Sequence, residues 1–445
     1  VPIPKKPNAV EVNDFRPINK LPIYEKILEL VVKKQLDEYI EKNNILTENQ
    51  AGFRKNYNCE TAIQMAVDQW KIAVSNNKIV GVIFLDLKRA FETVDRKILI
   101  KKMYKYGIDG TVLKWFESYV SERYQILKYE EEWSDVYETE YGVPQGSVLG
   151  PILFIIYIND IIHTRTEDTE IRLFADDTVI YTEGSSISEV ENKLQEALYK
   201  MEDWLNRNYL KMNADKTKGM VIRGTRKIIP RKIELKTRNG TDIEIVDTMK
   251  YLGVILDDRL VFKQHCQYVL KKVGKKISFL NRIGNYVSAY ARCTTYKTII
   301  GPHFEYCSTM MINMGETEIN MLQKAQNRAM RTILQVSRYT SIQRMLEALQ
   351  FMSIRQRLEY NVIVFIHKMV HIKNSEAEGR MVGEITGRVT RQSENLRIKY
   401  RKTTAAQKSI MYAGIQMYNG VPLKMRLLSE LNQFKREIKR WIINK

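Results

Sequence analysis

One stretch near the start of the chain constrains the fold more than any other. Gly81 to Leu87 reads GVIFLDL, an apolar run typical of a buried strand, and it contains a single acid, Asp86. An uncompensated charge in such surroundings costs on the order of several kcal/mol. Because a cation is the simplest compensation, we interpret Asp86 as a candidate metal ligand.

A second acidic feature lies further along the chain. Asp176 and Asp177 separate two strand-like stretches, 171–174 and 178–182, and this pattern predicts a hairpin with both acids at its tip. Adjacent carboxylates in apolar surroundings repel each other, so one should protonate unless a divalent ion holds both ionised. An Asp-Asp pair in isolation is more often only a polar turn, but the motifs described below favour a metal site.

Together, Asp86, Asp176 and Asp177 predict a two-metal site. An acid on a strand and an acid pair on a hairpin can hold two ions about 4 Å apart. A few hard oxygen ligands suit Mg²⁺, which also binds water and phosphate oxygens, with Mn²⁺ as a possible substitute. One ion would activate a primer 3′-hydroxyl, and the other would stabilise the leaving pyrophosphate.

The first half of the chain alternates helix-like and strand-like stretches. Apolar spacing predicts helices over 24–41 and 187–208, and a short apolar helix over 152–158. Residues 124–129 and 136–141 flank an acidic turn and predict another hairpin. The predicted apolar face of the first helix consists of Ile27, Leu28, Val31, Val32 and Leu36. The stripe of the second consists of Val190, Leu194, Leu198, Met201 and Leu205.

The second half of the chain is strongly basic. The whole sequence has 71 Lys and Arg against 52 Asp and Glu, a net charge of +19, which favours polyanions such as nucleic acid. Residues 259–304 contain nine Lys and Arg and no acid, on a helical pattern. The paired lysines of this stretch are Lys271, Lys272, Lys275 and Lys276. We expect a linker around 371–387 and a basic tail over 391–445.

Cysteine usage and hydropathy limit the cellular setting. The four cysteines form no C-x-x-C pair, which indicates reduced thiols rather than a zinc knuckle or a disulfide framework. The longest apolar run is far shorter than the ~20 residues that span a bilayer. The sequence opens at Val1 without a signal peptide, so we expect a segment of a longer intracellular protein, in the nucleus and cytoplasm.

Three motifs around the acids resemble those of reverse transcriptases. IFLDLKRAF at 83–91 is similar to the first carboxylate motif of that family, although Glu92 stands where the family usually has Asp. GVPQGSVLGP at 142–151 resembles the template and nucleotide loop. FADD at 174–177 resembles the double-aspartate turn.

The flanking motifs follow in the order of the same family. LKMN, with the following Lys-Thr, over 210–217 resembles the lysine motif, and YLGV at 251–254 resembles the primer-grip hairpin. Arg16-Pro17-Ile18 and AGFR at 51–54 resemble motifs of the fingers. The forms of the aspartate turn and of the nucleotide loop are most similar to those of non-LTR retrotransposons, the LINE or jockey-like class.

The resemblance implies roles for individual residues. Asp86, Asp176 and Asp177 would bind metal and catalyse, and Lys216 would assist the departing pyrophosphate. Phe91 would lie beneath the incoming sugar and exclude a 2′-hydroxyl. The other candidates for nucleotide binding are Arg16, Arg54, Gln145 and Gly146. The candidates for primer and template binding are Tyr251, Leu252, Gly253 and the four lysines named above, and Tyr400, Tyr412 and Tyr418 are candidates for stacking on RNA.

The resemblance also implies an α+β right-hand polymerase fold. Fingers are expected at 1–80, a palm of antiparallel sheet at 81–258, a helical thumb and connection at 259–371, and a linker and basic helical C-terminal appendage at 372–445. The implied reaction joins dNTPs to a DNA primer on an RNA template. The implied protein needs no membrane, and an endonuclease segment could lie upstream.

Three alternatives stay open at this stage. The chain could be a catalytically silent or domesticated relic that only binds RNA, although intact acids would then be unnecessary. It could be an RNA-dependent RNA polymerase, which would need room for a 2′-hydroxyl at Phe91. It could also be a basic scaffold without catalysis, in which case Asp176→Asn would change nothing.

Overall fold

The computed structural model describes residues 1–5, 7–224, 227–229, 232–371, 394–401 and 403–445. The predicted linker beyond His371 and the first residues of the predicted basic tail fall within 372–393, outside the described residues. The chain divides into two compact units. The first unit consists of Val1–Asn58, Gly81–Val221 and Ile229–Val246, and the second of Cys59–Val80, Ile222–Ile228 and Asp247–Lys445.

The helices and strands follow one another along the chain in two groups. Up to Val246 they are β1 (Pro2–Pro4), β2 (Phe15–Pro17), α1 (Ile23–Lys42), α2 (Cys59–Ser75), β3 (Ile79–Leu85), α3 (Arg96–Lys105), α4 (Gly110–Val120), β4 (Arg123–Gln125), β5 (Lys128–Tyr129), β6 (Glu132–Trp133), β7 (Tyr137–Thr139), α5 (Gly150–Ile158), β8 (Thr169–Phe174), β9 (Asp177–Gly184), α6 (Ile187–Arg207), β10 (Lys218–Ile222), β11 (Leu235–Lys236) and β12 (Asp242–Ile245). From Asp247 onward they are β13 (Thr248–Tyr251), β14 (Val254–Asp257), α7 (Lys263–Ile283), α8 (Ala289–Thr295), α9 (Gly301–Glu305), α10 (Glu316–Leu334), α11 (Ile342–Leu349), α12 (Ile354–His371), α13 (Thr404–Gln407), α14 (Ile415–Asn419), α15 (Leu423–Arg426) and α16 (Leu431–Ile443).

A six-stranded sheet forms the centre of the first unit, with the strand order β11-β12-β10-β3-β9-β8. Every residue of β3 is buried, as expected for a strand that is covered on both faces. Strands β8 and β9 pair antiparallel, with Phe174 opposite Asp177, which confirms the predicted acidic hairpin. The predicted hairpin over 124–141 is confirmed as well, since β4 pairs with β7 and β5 with β6.

Helix α6 covers part of this sheet. The side chain of Ser186 caps its first turn by accepting a hydrogen bond from the N–H of Glu189, at 3.2 Å. All five residues of the predicted apolar stripe are buried. A Cβ at Gly81 of β3 would lie 2.3 Å from the side chain of Val190 and 2.6 Å from that of Leu194. The close approach of α6 to β3 therefore requires glycine at position 81.

Helix α1 forms where it is predicted, but the prediction of its buried face is wrong. Ile27, Leu28 and Val31 are more than half exposed. Of the predicted face only Leu36 is buried, and it is joined by Glu29 and Ile40. The helix is turned this way because Glu29 accepts hydrogen bonds from residues distant in the sequence, a preference that apolar spacing does not contain.

Apolar side chains of the second unit are buried on α7 and among the C-terminal helices. Helix α7 buries a stripe of Val269, Val273, Ile277 and Leu280. Helix α12 and the C-terminal helices form a core, to which α16 contributes Phe434, Ile438 and Ile442. The buried carboxylate of Asp68 on α2 accepts hydrogen bonds from the N–H groups of Ile410 and Met411. The described C-terminal residues therefore form part of this core.

This packing corrects one prediction for the tail. Tyr418 is only 3% exposed and belongs to the core, so it is not available for stacking on RNA. Tyr412 is half-buried, and Tyr400 is exposed.

The cysteines and the hydropathy of the helices bear on the cellular setting. All four cysteines are free thiols, as predicted. Among the helices of the described residues, none is both long enough and apolar enough to cross a membrane.

Candidate active site

Asp86 follows directly after β3, at the end of the buried strand. The Nδ2 of Asn213 donates a hydrogen bond to its Oδ2 at 3.0 Å, and the Nζ of Lys216 lies 4.0 Å from the same oxygen. The N–H of Asn213 also donates to the carbonyl of Asp86, at 2.8 Å. The segment after α6 therefore holds Asp86 in place through both its backbone and its side chain.

A buried glutamine fixes the Asp176–Asp177 turn. The Oε1 of Gln50 accepts hydrogen bonds from the N–H of Gly52, at 2.7 Å, and from the N–H of Ala175, at 3.0 Å. Ala175 has a φ of +55°, the left-handed conformation that L-residues rarely adopt. A Cβ at Gly52 would lie 2.3 Å from the nitrogen of Ala175. Sequence reasoning missed Gln50, whose only signal was its place beside the AGFR motif.

The structure brings the three acids into one electrostatic cluster. Burial, and then the negative charges of Asp176 and Asp86, together raise the pKa of Asp177 to about 6. Burial, and then the charge of Asp86, raise the pKa of Asp176, while the positive charge of Arg16 opposes that change. Asp177 is partly open to solvent, but the surrounding protein still disfavours its ionised form.

This cluster fits divalent cations by its chemistry. A carboxylate whose surroundings disfavour its ionised form is stabilised most by a bound cation. Hard oxygen ligands suit a small divalent ion. Within the described ranges, no group of three or more His, Cys, Asp or Glu side chains is arranged to hold a metal ion. An ion at these acids would need further oxygen ligands from substrate phosphates and water.

Phe91 belongs to an aromatic stack beside the first carboxylate motif. Its ring stacks on Phe154 of α5, with centroids 4.4 Å apart and an interplanar angle of 24°. The ring of Phe53 meets it edge-on, with centroids 6.3 Å apart. These two contacts restrict the orientation of the Phe91 ring, which remains only half-buried.

The nucleotide loop, residues 142–151, is anchored at Gln145 and Gly146. The carbonyl of Gln145 accepts a hydrogen bond from the N–H of Asn19 at 2.7 Å, and its Nε2 lies 3.5 Å from an oxygen of Glu92. Gly146 has a φ of +108°, and a Cβ there would lie 2.7 Å from the carbonyl oxygen of Asn19. Only glycine fits this close backbone contact.

A buried carboxylate holds the other half of the nucleotide loop. Glu29 of α1 is 1% exposed. Its Oε2 accepts a hydrogen bond from the N–H of Val148 at 2.7 Å, and its Oε1 accepts one from the hydroxyl of Tyr119. Burial and this contact with Glu29 raise the pKa of Tyr119, which keeps the hydroxyl a donor. Sequence reasoning missed Glu29 because it lies within a helix that was read only for its apolar residues.

The two arginine candidates differ in their surroundings. Arg16 is exposed, and its charge acts on Asp176. Arg54 is half-buried; its Nη1 donates to the carbonyls of Thr47, at 2.7 Å, and Gln50, at 3.3 Å. Arg54 therefore supports the segment that carries Gln50. Lys216, the remaining charged candidate, has a side chain that is 70% exposed.

In the second unit, Tyr251 to Gly253 lie at the turn of the β13–β14 hairpin. Tyr251 pairs with Val254, and both turn residues have positive φ, +43° at Leu252 and +81° at Gly253. The hydroxyl of Tyr306 donates to the carbonyl of Leu252 at 2.7 Å.

The four predicted lysines of α7 fall into two pairs on different sides of the helix. Lys272 lies over the ring of Tyr268, 4.6 Å from its centroid, and Lys250 of β13 approaches the same ring at 5.4 Å. The Nζ of Lys276 donates to the carbonyl of Ile299 at 3.1 Å. Lys271 and Lys275 instead line a groove between α7 and α10. Sequence reasoning treated the four as one group and missed Lys250 and Tyr268.

Comparison with known families identifies the family of the chain. Residues 3–256, more than half of the chain, match the model of the family described as reverse transcriptase (RNA-dependent DNA polymerase). The chain therefore belongs to the reverse transcriptase family. The predicted family and the α+β right-hand polymerase fold class are confirmed by this match. The assignment of fingers, palm and thumb to residue ranges stays a prediction.

Curated relatives come from non-LTR mobile elements. The chain is 25% identical to the probable RNA-directed DNA polymerase from transposon X-element of Drosophila melanogaster, over 74% of this chain and 36% of that protein. It is 27% identical to the RNA-directed DNA polymerase from mobile element jockey of Drosophila funebris, over 73% and 36%. The chain thus spans about a third of the length of these relatives.

A further relative and a solved structure extend the comparison. The Pol polyprotein from the type-1 retrotransposable element R1 2 of Nasonia vitripennis is 27% identical over 61% of this chain and 72% of its own. The structure of apo telomerase from Candida tropicalis aligns with a TM-score of 0.42 and 12% identity, over 79% of this chain and 60% of that chain.

Proposed function

We propose that this chain is the polymerase core of a non-LTR retrotransposon and joins dNTPs to a DNA primer on an RNA template. The observation that carries the proposal is the electrostatic effect of Asp86 on the Asp176–Asp177 turn, since its charge raises the pKa of both turn residues. These acids come from a strand end and a hairpin tip. A protein that only binds nucleic acid would gain nothing from such a cluster.

Asp86, Asp176 and Asp177 would hold the ions, and we propose Mg²⁺, with Mn²⁺ as a substitute. When bound, divalent cations would make the primer 3′-hydroxyl more acidic and would neutralise charge on the phosphates. Asn213 keeps Asp86 oriented through the 3.0 Å hydrogen bond, and Gln50 keeps the Asp176–Asp177 turn in place. Lys216, near Asp86 and largely in solvent, is placed to neutralise the departing pyrophosphate.

We propose that Phe91 selects deoxynucleotides. Its ring is held by Phe154 and Phe53, so it cannot easily swing aside for a 2′-hydroxyl. Gln145 and Gly146 would contact the nascent base pair from the anchored loop. Arg16 would act on the triphosphate, and Arg54 would do so only with the guanidinium nitrogens other than Nη1.

The contacts to primer and template are assigned to the second unit. Tyr251, Leu252 and Gly253 form a tight turn. On one side of α7, the ammonium group of Lys272 lies beside the ring of Tyr268. Contacts of cations with phosphates are independent of sequence and sensitive to salt. We place the reaction in the nucleus and cytoplasm. We also propose that the chain is one segment of a longer polyprotein that includes an endonuclease.

Primer extension on an RNA template in Mg²⁺ tests the proposal. We expect extension by the wild-type protein and none by Asp176→Asn, with primer–template binding retained by both. Binding without extension by the wild-type protein would instead favour the relic that only binds RNA. Phe91→Ala should begin to incorporate ribonucleotides, and equal use of both nucleotides by the wild-type protein would contradict the role of this ring.

A further inference from the structure

The second unit contains an open groove between α7 and α10, with a volume of about 1110 Å³. Cations line both of its walls. Those on α7 are Lys271, Lys275 and Arg282, and those on α10 are Arg328 and Arg331. Among the described residues no carboxylate lines the groove, and the sequence 259–304 contains no acid at all. Like charges gathered without a counter-charge repel one another, so a polyanion between the walls would be strongly favoured.

Two details indicate what kind of polyanion fits. The Nε of Arg331 is buried and has no hydrogen-bond partner in the part of the chain that the structure describes. The remaining polar lining, Ser278, Asn281 and Thr332, consists of short side chains that can donate to oxygens. The lining residues that the structure describes include no aromatic ring, so they offer bases no surface on which to stack. The groove is therefore suited to the phosphate backbone rather than to bases.

We propose that this groove binds the phosphate backbone of a single nucleic-acid strand, separately from the primer–template duplex. The proposal rests on the polymerase function proposed above, and it adds a second binding track. A single strand can lie between the walls and be contacted from both α7 and α10. The duplex contact is assigned to the other side of α7, where Lys272 and Lys276 have their own neighbours, Tyr268 and the Ile299 carbonyl.

The test compares matched double variants of the full chain. In one, Lys275→Ala and Arg328→Ala remove one cation from each wall of the groove. In the other, Lys272→Ala and Lys276→Ala remove two cations from the opposite side of α7. The probes are a labelled oligouridylate, a labelled oligothymidylate of the same length and an RNA–DNA primer–template duplex. Dissociation constants are measured by fluorescence anisotropy over a range of salt concentrations.

The groove variant should bind oligouridylate about tenfold more weakly, with a slope of log K against log salt that is smaller by about two, since two phosphate contacts are lost. Its affinity for the duplex should stay within about twofold of wild type. Oligothymidylate should behave like oligouridylate, because backbone contacts do not require a 2′-hydroxyl. The Lys272–Lys276 variant should show the reverse pattern.

Two outcomes would overturn the second track. One is unchanged oligouridylate binding by the groove variant, and the other is an equal loss of single-strand and duplex binding. The exchange variant Lys275→Arg with Arg328→Lys keeps both charges and should bind like wild type, which separates loss of charge from loss of fold. Asp176→Asn should keep groove binding, because the groove does not depend on the acids. If the wild-type protein binds single strands but does not extend a primer, the polymerase function is rejected and the groove is not.

Discussion

The turn that carries Asp176 and the turn at Leu252–Gly253 are both tight, but the protein holds them differently. Each contains a non-glycine residue with positive φ, Ala175 at +55° and Leu252 at +43°. The first turn is fixed from within by Gln50, which is 1% exposed and accepts from two backbone N–H groups. The second receives one hydrogen bond from Tyr306, a residue that is 45% exposed.

The difference matches what each turn is proposed to do. Metal-assisted phosphoryl transfer requires ligands that stay within a fraction of an ångström of one geometry, so the turn with the acids is fixed by buried polar groups. A turn that touches a nucleic-acid backbone of any sequence can adjust without losing its contacts. We therefore expect changes around the first turn to lower kcat and changes around the second to alter binding.

The largest effect is expected from Gln50→Leu. Leucine has a similar size but leaves the N–H groups of Gly52 and Ala175 buried without partners, at about 1–3 kcal/mol each. The turn should relax, and the carboxylates of Asp176 and Asp177 should move. We expect kcat for primer extension to fall about a hundredfold, which corresponds to roughly 2.7 kcal/mol, with a much smaller change in the KM for dNTP.

The matched control for this variant is Gln326→Leu in the second unit. Gln326 is also 1% exposed, and its Nε2 donates to the carbonyl of Met352 at 2.9 Å, a bond that involves none of the proposed site residues. It should lower the midpoint of thermal unfolding as Gln50→Leu does, while kcat per folded molecule stays near wild type. Equal losses of kcat in the two variants would mean that Gln50 acts only through stability.

A smaller effect is expected from Glu29→Ala. This change leaves the N–H of Val148 and the hydroxyl of Tyr119 without their acceptor and loosens the nucleotide loop. We expect the KM for dNTP to rise about tenfold, or roughly 1.4 kcal/mol, with kcat less affected. Glu29→Gln keeps one acceptor oxygen for Val148 and should restore most of the affinity.

Glu202→Ala is the control for the nucleotide loop. Glu202 is also buried, at 9% exposure, and its Oε2 accepts from the N–H of Arg238 at 2.9 Å, a similar bond that involves no residue of the loop. It should destabilise the protein without changing the KM for dNTP. If Glu29→Gln behaves like Glu29→Ala, the buried charge itself, and not the hydrogen bond, holds the loop.

The sequence predicted the parts of this site that local pattern can encode. Apolar runs and alternation located β3, the β8–β9 hairpin and α6, and the motifs around Asp86, Asp176 and Asp177 indicated that these acids meet. In the structure, the charge of Asp86 raises the pKa of Asp176 and of Asp177. Periodicity and spacing were sufficient here because each acid lies at the end or the turn of a strand whose pattern is regular.

The missed residues share a physical cause. Glu29 and Gln50 act on Val148 and Ala175, partners that lie far away in the sequence and that only the tertiary fold brings near. Apolar spacing alone therefore predicts that a charged residue in an apolar helix is exposed. For this reason the predicted buried face of α1 was largely wrong. The lysines of α7 were grouped by sequence adjacency, although neighbouring positions on a helix point about 100° apart.

The smallest effect is expected from Tyr306→Phe, which sharpens the comparison of the two turns. The change removes the hydrogen bond to the carbonyl of Leu252 at an exposed position, and should cost about 1 kcal/mol or less. We expect primer–template affinity to fall by about fivefold or less, with kcat at saturating primer–template unchanged. Tyr290→Phe, which alters a hydroxyl on a side chain that is 81% exposed, serves as the control and should change neither quantity. A large loss of kcat in Tyr306→Phe would show that the second turn is also part of the catalytic geometry, and the contrast between a fixed and an adjustable turn would fail.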